Sequence, residues 1–357
     1  MSAASVPLVH LRETALRDFC HAILRACGVP ENHAALVSES LIAASLRGVD
    51  SHGIQLLPTY AAQLDCKAVD PFAIGKVVTE SGACLTYDGQ NGLGQVVSDH
   101  CTDHALRLVK QSGLAMVVAR NSNHFGAAAW WGQKLARGGA IGLIVSNASP
   151  AVPPWQGRSP RLGTNPICMA VPNGQPGRWL LDMATTTVAL GKVSNAAYAR
   201  QPTIPAAWGF LDSNFKPTTD TEAANAGFAT PFGTYKGSGL SVLVEILCAV
   251  LGGGPMSQEV AIFRNASEPL KVSHTFLAID PARFLGAGQF EPRMDRLQGM
   301  LKSSAPAPGF DEVLLAGEPE WRTEEKRRRD GIPVPVGLWE VLTAVAQKHG
   351  VVPPPAA

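Results

Sequence analysis

Two histidines in this sequence stand where a side chain could move a proton. His52 lies in Asp50-Ser51-His52-Gly53, at the expected end of the second helical element, where a rigid support can hold a side chain that still reaches a cleft. His124 lies in Asn121-Ser122-Asn123-His124-Phe125-Gly126, directly after an apolar run that reads as a buried strand. Open α/β sheets place their ligand sites beyond such strand ends. Imidazole changes charge near neutral pH, so either residue suits general acid–base chemistry. A lone histidine is more often structural, so each needs company before it carries a function.

Other spacings point less well. Gly92-Leu93-Gly94 opens like a dinucleotide fingerprint, but position 97 is Val where Gly is required, and the glycines suit a turn ahead of a helix. His100 and His104 have the spacing of paired metal ligands on a helix. No His-Glu-x-x-His accompanies them, and Asp99 and Asp103 mark a wet face, so no metal is expected. Gly237-Ser238-Gly239 lacks the Gly-x-Ser-x-Gly elbow of serine hydrolases, and Ser238 reads as a cap or packing residue.

The elements that must position these residues follow from periodicity. Apolar residues recur at helical spacing from Leu11 to Leu46, broken at Gly28-Val29-Pro30, which predicts a helical hairpin. Residues 84–88 read as the first strand of a different unit. A helix over about 96–111, a strand over 114–119, a helix over 127–137 and a strand over 141–146 follow, an alternation that argues for an α/β sheet. Residues 148–166 form a long Pro- and Gly-rich loop of functional length. Residues 201–235 read as loop, an apolar helix starts near Lys236 and stops at Gly252-Gly253-Gly254, residues 276–279 read as a strand, and residues 282–300 as further helix. Residues 317–329 carry dense charge of both signs, as a solvated helix face does.

Composition bounds the partner. The 357 residues are 46% hydrophobic and 17% charged, enough to bury a core in about two domains. Thirty basic against twenty-nine acidic residues leave a net charge of +1, which selects neither nucleic acid nor an anionic membrane, so a small molecule is the expected partner. Seven scattered cysteines with no Cys-x-x-Cys pair suit reduced thiols. Charges within the first twenty residues leave no signal-peptide core, and no apolar stretch is long enough to span a bilayer. The expected location is the cytoplasm.

Six ordered motifs carry a resemblance. They are Arg47-Gly48-Val49-Asp50-Ser51-His52-Gly53 with Tyr60, residues 121–126, Gly163-Thr164-Asn165-Pro166, Leu181-Asp182-Met183-Ala184-Thr185, Lys236-Gly237-x-Gly239-Leu240 with Glu245, and Gly317-Glu318-Pro319. In this order, over nearly the whole chain, the sequence resembles the type 2 malate/L-lactate dehydrogenase family, which includes sulfolactate and ureidoglycolate dehydrogenases and piperideine-/pyrroline-2-carboxylate reductases. The resemblance implies an α/β fold with a non-Rossmann, mixed-sheet NAD(P)-binding domain and a helical domain drawn from both chain ends. The expected bounds are 1–75 for the first helical part, 76–300 for the cofactor and substrate domain, and 301–357 for the returning segment. A homodimer or higher homo-oligomer is implied as well.

The activity implied is hydride transfer between NAD or NADP and a small 2-oxo or 2-hydroxy acid. By resemblance, His52 exchanges the proton with substrate while Ser51 assists; in some members the residue matching His124 is the proton acceptor. His124, Phe125 and Gly126 would line the nicotinamide site, with Asp182, Met183, Ala184, Gly233, Lys236, Gly237 and Glu318 completing the cofactor site and Thr164 meeting substrate. Two departures bear on the substrate. Leu56 stands where many members carry a carboxylate-binding arginine, so either Arg47 or Arg161 holds the acid or the substrate is apolar at that point. Lys192 stands where imine-reducing members have aspartate, which leans toward carbonyl chemistry. The competing readings are an imine reductase acting on a cyclic or N-alkyl 2-imino acid and a silent binding or scaffold protein.

Overall fold

The helical periodicity near the N-terminus forms two helices, Glu13–Ala26 and Glu31–Leu46, parted at Gly28, whose φ of 87° suits a residue without Cβ. The computed structural model describes residues 7–172, 179–265 and 267–355. Its strands are β1 (Leu8–Leu11), β2 (Lys76–Ser81), β3 (Cys84–Asp88), β4 (Leu114–Ser122), β5 (Ile141–Ser146), β6 (Ile167–Ala170), β7 (Leu180–Met183), β8 (Val272–Ile279) and β9 (Ile332–Pro335). The fold is mixed α/β. Seven strands make one mixed sheet in the order β2-β3-β4-β8-β5-β6-β7. Only β3 and β4 pair in parallel, joined by helix Gly94–Ser112, and the other neighbours are antiparallel.

The chain ends meet. β1 pairs antiparallel with β9, Leu8 opposite Pro335 and Leu11 opposite Ile332. Leu16, Leu41, Leu57, Ile332 and Leu342, all fully buried, share one apolar cluster with Leu11, so first and last segments pack on the same core. A second cluster fills the space between the sheet and helices Gly94–Ser112 and Ala128–Arg137, with Trp131 and Phe276 fully buried. Trp131 donates its Nε1–H to the Phe125 carbonyl at 3.1 Å, which satisfies the indole polar edge inside the core.

Several sequence expectations shift. β2 precedes the strand expected at residues 84–88; all its residues are exposed, so it carries no apolar alternation to read. β8 begins at Val272, not at Phe276, because Ser273, His274 and Thr275 hide a buried central strand. They are tolerated there because His274 bonds the Ser146 and Ser122 hydroxyls and Thr275 donates to the Leu247 carbonyl. Helix Glu31–Leu46 stops before the Ser-His pair, so His52 does not end that helix; it lies on a separate 3-10 turn, Asp50–His52. Residues 282–300 divide into Ala282–Leu285 and Phe290–Lys302.

Candidate active site

The turn carrying Ser51 and His52 is fixed from several sides. Asp50 accepts a two-pronged ion pair from Arg327, at 2.5 and 2.9 Å, anchoring the turn to helix Glu318–Asp330. Gly53 lets the turn pack closely on helix Glu31–Leu46: a Cβ there would lie 2.2 Å from the Ser45 hydroxyl and displace it. Gly191 plays the same part on the opposite side, where a Cβ would meet that of Ser51 at 2.5 Å. Gln55 ties the two together by donating to the Ser51 and Gly191 carbonyls at 3.2 and 3.3 Å.

The structure brings His52 and His124 together. Their rings stack at 5.6 Å between centroids with 23° between planes, and Phe263 covers His124 at 4.6 Å. His52 Nδ1 shares a 2.9 Å hydrogen bond with Ser51 Oγ. His124 Nδ1 lies 2.7 Å from Tyr60 Oη and 3.3 Å from the Gly126 N–H. A backbone N–H can only donate, so Nδ1 is the acceptor and the ring proton resides on Nε2. Tyr60 therefore donates as well, while its oxygen accepts from Gln95 Nε2 at 3.1 Å. Burial lowers the His52 pKa from 6.5 to about 4. Burial pushes His124 well below 6.5, and His52 and His274 add to the effect. Both rings are neutral at pH 7.

Gly94 of Gly92-Leu93-Gly94 packs against this site. A Cβ on Gly94 would lie 2.2 and 2.4 Å from the Asn123 and His124 carbonyls; the bare glycine lets the start of helix Gly94–Ser112 pack on the strand end that carries His124. Phe125 points away into the core, stacked on His274 at 4.3 Å.

A second group of motif residues gathers around the end of β7. Asp182 accepts from the Ala129 N–H at 2.8 Å, and burial raises its pKa to about 6 against the pull of that bond and of Arg47. Arg47 lines a crevice with Ser40, Ala127, Ala129 and Trp130. Thr185 joins two further motifs, donating to the Thr164 carbonyl and accepting from the Phe232 N–H. A Cβ on Gly237 would meet the Thr185 carbonyl at 2.8 Å, so the segment holding Gly233 and Lys236 is packed on the one that follows Met183 and Ala184. Asn165 of the Thr164 loop donates to Glu245, whose carboxylate also receives Ser257. This explains a buried acid in an apolar helix.

Leu56 is 7% exposed in the helical core, and Arg161 is exposed and donates to the Pro160 carbonyl. Glu318 is held by Lys302 at 2.7 Å and follows Gly317, which packs on Leu180 at the start of β7. His104 meets Tyr87 and Arg107, and no metal-ligand group among the described residues includes it or His100. Gln55, Gln95, Gly191 and Phe263 escaped the sequence reading. Each acts across a large sequence separation; Gln55, Gln95 and Gly191 adjoin Leu56, Gly94 and Lys192, but nothing in the sequence shows which distant segment they meet.

A profile of the malate/L-lactate dehydrogenase family matches residues 11–343. L-sulfolactate dehydrogenase of Methanocaldococcus jannaschii is 36% identical over 328 residues, covering 92% of this chain and 94% of that protein. The solved malate dehydrogenase of Pyrococcus horikoshii superposes with a TM-score of 0.89 at 32% identity over 99% of each chain. The delta1-piperideine-2-carboxylate reductase of Pseudomonas syringae superposes with a TM-score of 0.81 at 27% identity, over 94% of this chain and 99% of that one. The chain belongs to the malate/L-lactate dehydrogenase family of oxidoreductases.

Proposed function

We propose that the protein moves a hydride between a nicotinamide cofactor, NAD or NADP, and a small 2-oxo or 2-hydroxy acid, with His52 exchanging the proton at the substrate oxygen. The observation that carries this reading is the stack of two neutral histidines, one with its tautomer fixed by Tyr60 and Gly126. The cofactor, when bound, supplies or accepts the hydride. Two buried polar atoms without partners among the described residues, Arg47 Nε and Gln55 Oε1, suit a polar ligand between the 3-10 turn and the crevice at Ala127 and Ala129. An unpaired guanidinium N–H favours an anionic group. Residues 182–184 and Gly126 would hold the cofactor, and Thr164 the substrate.

His52 does the proton work in this reading. With its Nδ1–H donating to Ser51, Nε2 offers a free lone pair that takes the hydroxyl proton as a 2-hydroxy acid is oxidised. In the reverse direction the protonated ring, an unusually strong acid because of its burial, returns that proton to the forming alkoxide. A substrate carboxylate beside His52 raises its pKa and makes protonation affordable near neutral pH. His124, its Nε2–H available, orients and polarises the reacting oxygen.

We read residues 76–300 as the cofactor and substrate domain, without a Rossmann turn, and residues 1–75 with 301–357 as the helical domain. The partner is a second copy of the chain: Val242, Leu243, Ile246 and Val250 stand 43–62% exposed along one stretch of helix and π-turn, an apolar surface of the kind interfaces cover.

Following NADH and NADPH absorbance against a panel of 2-oxo acids, with and without methylamine, tests the reading. Turnover without amine is expected. Cofactor consumption only with amine would move the assignment to a 2-imino acid. No turnover, with no change in Tm on adding either cofactor, would leave a silent binding protein. Tyr60→Phe supplies a finer check. Loss of the hydroxyl leaves His124 Nδ1 held only by the 3.3 Å Gly126 N–H and strands Gln95, so the ring is less firmly oriented and kcat is expected to fall by roughly one to two orders of magnitude with cofactor affinity nearly unchanged. Wild-type kcat in that variant would remove Tyr60 from the mechanism.

A further inference from the structure

Away from the paired histidines, three ligating side chains converge where three helices end. Cys27 follows helix Glu13–Ala26, Asp65 is the last residue of helix Leu57–Asp65, and His349 follows helix Val336–Lys348. Cys27 Sγ lies 3.6 Å from His349 Nε2 and 3.8 Å from its Nδ1, and Nε2 lies 3.3 Å from Asp65 Oδ2. The three ligand atoms all lie within 4.8 Å of one another. We propose that Cys27, Asp65 and His349 form a binding site for a borderline-soft divalent cation of the zinc class, with solvent as the fourth ligand.

The spacing fits the ion. Tetrahedral zinc with metal–sulfur bonds of about 2.3 Å and metal–nitrogen and metal–oxygen bonds near 2.1 Å sets sulfur and nitrogen about 3.6 Å apart and nitrogen and oxygen about 3.4 Å apart. Those are nearly the separations found. The imidazole turns its flank to the sulfur, since both ring nitrogens are similarly distant, so closing the site takes a rotation of the ring. Lys348 Nζ now pairs with Asp65 Oδ2 at 2.5 Å. Its side chain is 64% exposed, and an exposed pair of this kind is weak enough for a dication to displace. The donor set of thiolate, imidazole and carboxylate selects zinc-like ions over magnesium or calcium.

The same three residue types could instead suggest a nucleophilic cysteine. Such a cysteine needs a lowered pKa, whereas burial and the Asp65 carboxylate push Cys27 up to about 11 despite Lys348. An ion binding here displaces that thiol proton to solvent and ties the first, third and last helices together, each of which contributes to the core shared by the chain ends.

The test uses the full chain, stripped with a chelator and titrated with zinc or cobalt(II) alone. We expect one equivalent per chain, a higher Tm with zinc, and a thiolate-to-cobalt charge-transfer absorption. Cys27→Ser should abolish the absorption and weaken zinc binding by more than about 100-fold, and Asp65→Asn should weaken it less. Cys66→Ser, at the exposed neighbour of Asp65, should bind as wild type. Proton release followed on the unaltered chain gives a readout that needs no variant: zinc should displace the Cys27 thiol proton to solvent as it binds, and no release should accompany magnesium. Absence of stoichiometric binding at about 100 µM zinc, a signal lost in Cys66→Ser, or one kept in Cys27→Ser would overturn the site.

Discussion

Replacing His52 with alanine is expected to lower kcat by about 10²- to 10⁴-fold, the range for loss of a general acid–base group, while the Kd for cofactor changes little. The asymmetry between the two stacked rings leads to this expectation. His124 Nδ1 is already occupied by Tyr60 and Gly126, so this ring can donate through Nε2 but can accept a proton only by giving up that arrangement. Its protonation is also opposed by burial and by the neighbouring His52 and His274. His52 Nδ1 meets only Ser51, and its Nε2 makes no hydrogen bond among the described residues. That leaves one nitrogen free to exchange a proton. Steady-state kinetics beside cofactor binding, followed by fluorescence, separates the roles. A His52→Ala enzyme of near-native kcat, with His124→Ala inactive, would transfer the proton step to His124.

Much of this site was legible as parts but not as an assembly. Ser51, His52 and His124 drew attention because imidazole chemistry is visible in residue type, and the strand before His124 because its apolar run is unbroken. That the rings stack at 5.6 Å follows from how the helical core docks on the sheet, which no local pattern encodes. Phe263 illustrates the difficulty: a single aromatic after a loop, its meaning set entirely by the ring it covers. The glycines show the opposite case. Gly94 reads as a turn-former and Gly53 as the end of a helix, yet each sits where another chain segment approaches within a Cβ's radius. Helix Glu13–Ala26 was readable because one face is apolar, and Glu31–Leu46, buried on most sides, because its apolar run is bounded by the Gly28-Val29-Pro30 break. β2, with no buried face, was not, and β8 was hidden because its buried polar residues take hydrogen bonds that the sequence does not display.

The buried histidines should also make stability steeply dependent on pH on the acid side. His274, fully buried, has its pKa lowered from 6.5 to about 3, and His52 to about 4, in both cases by burial; His124 is lowered as well. Above pH 6.5 these rings are neutral in folded and unfolded chains alike, and their contribution to stability is fully present. As the pH falls from 6.5 toward 4 the unfolded chain takes up protons that the folded chain refuses, so stability falls. Each such histidine contributes about 1.4 kcal/mol per pH unit in that window. Asp182 opposes them: its pKa, raised to about 6 from 3.8, lets the folded chain hold a proton that the unfolded chain releases between those values. Three protons against one leave a net slope of roughly 3 kcal/mol per pH unit near pH 5, large beside the usual stability of a domain. Urea unfolding at pH 7.5, 6 and 5 should show the midpoint dropping sharply over the last step, with about two protons taken up per chain unfolded at pH 5. A midpoint that stays level from pH 7.5 to 5 would mean that the folded protein protonates these rings readily. The stacked pair would then enter catalysis already charged, and the proton economy proposed for His52 would have to be rebuilt around an imidazolium.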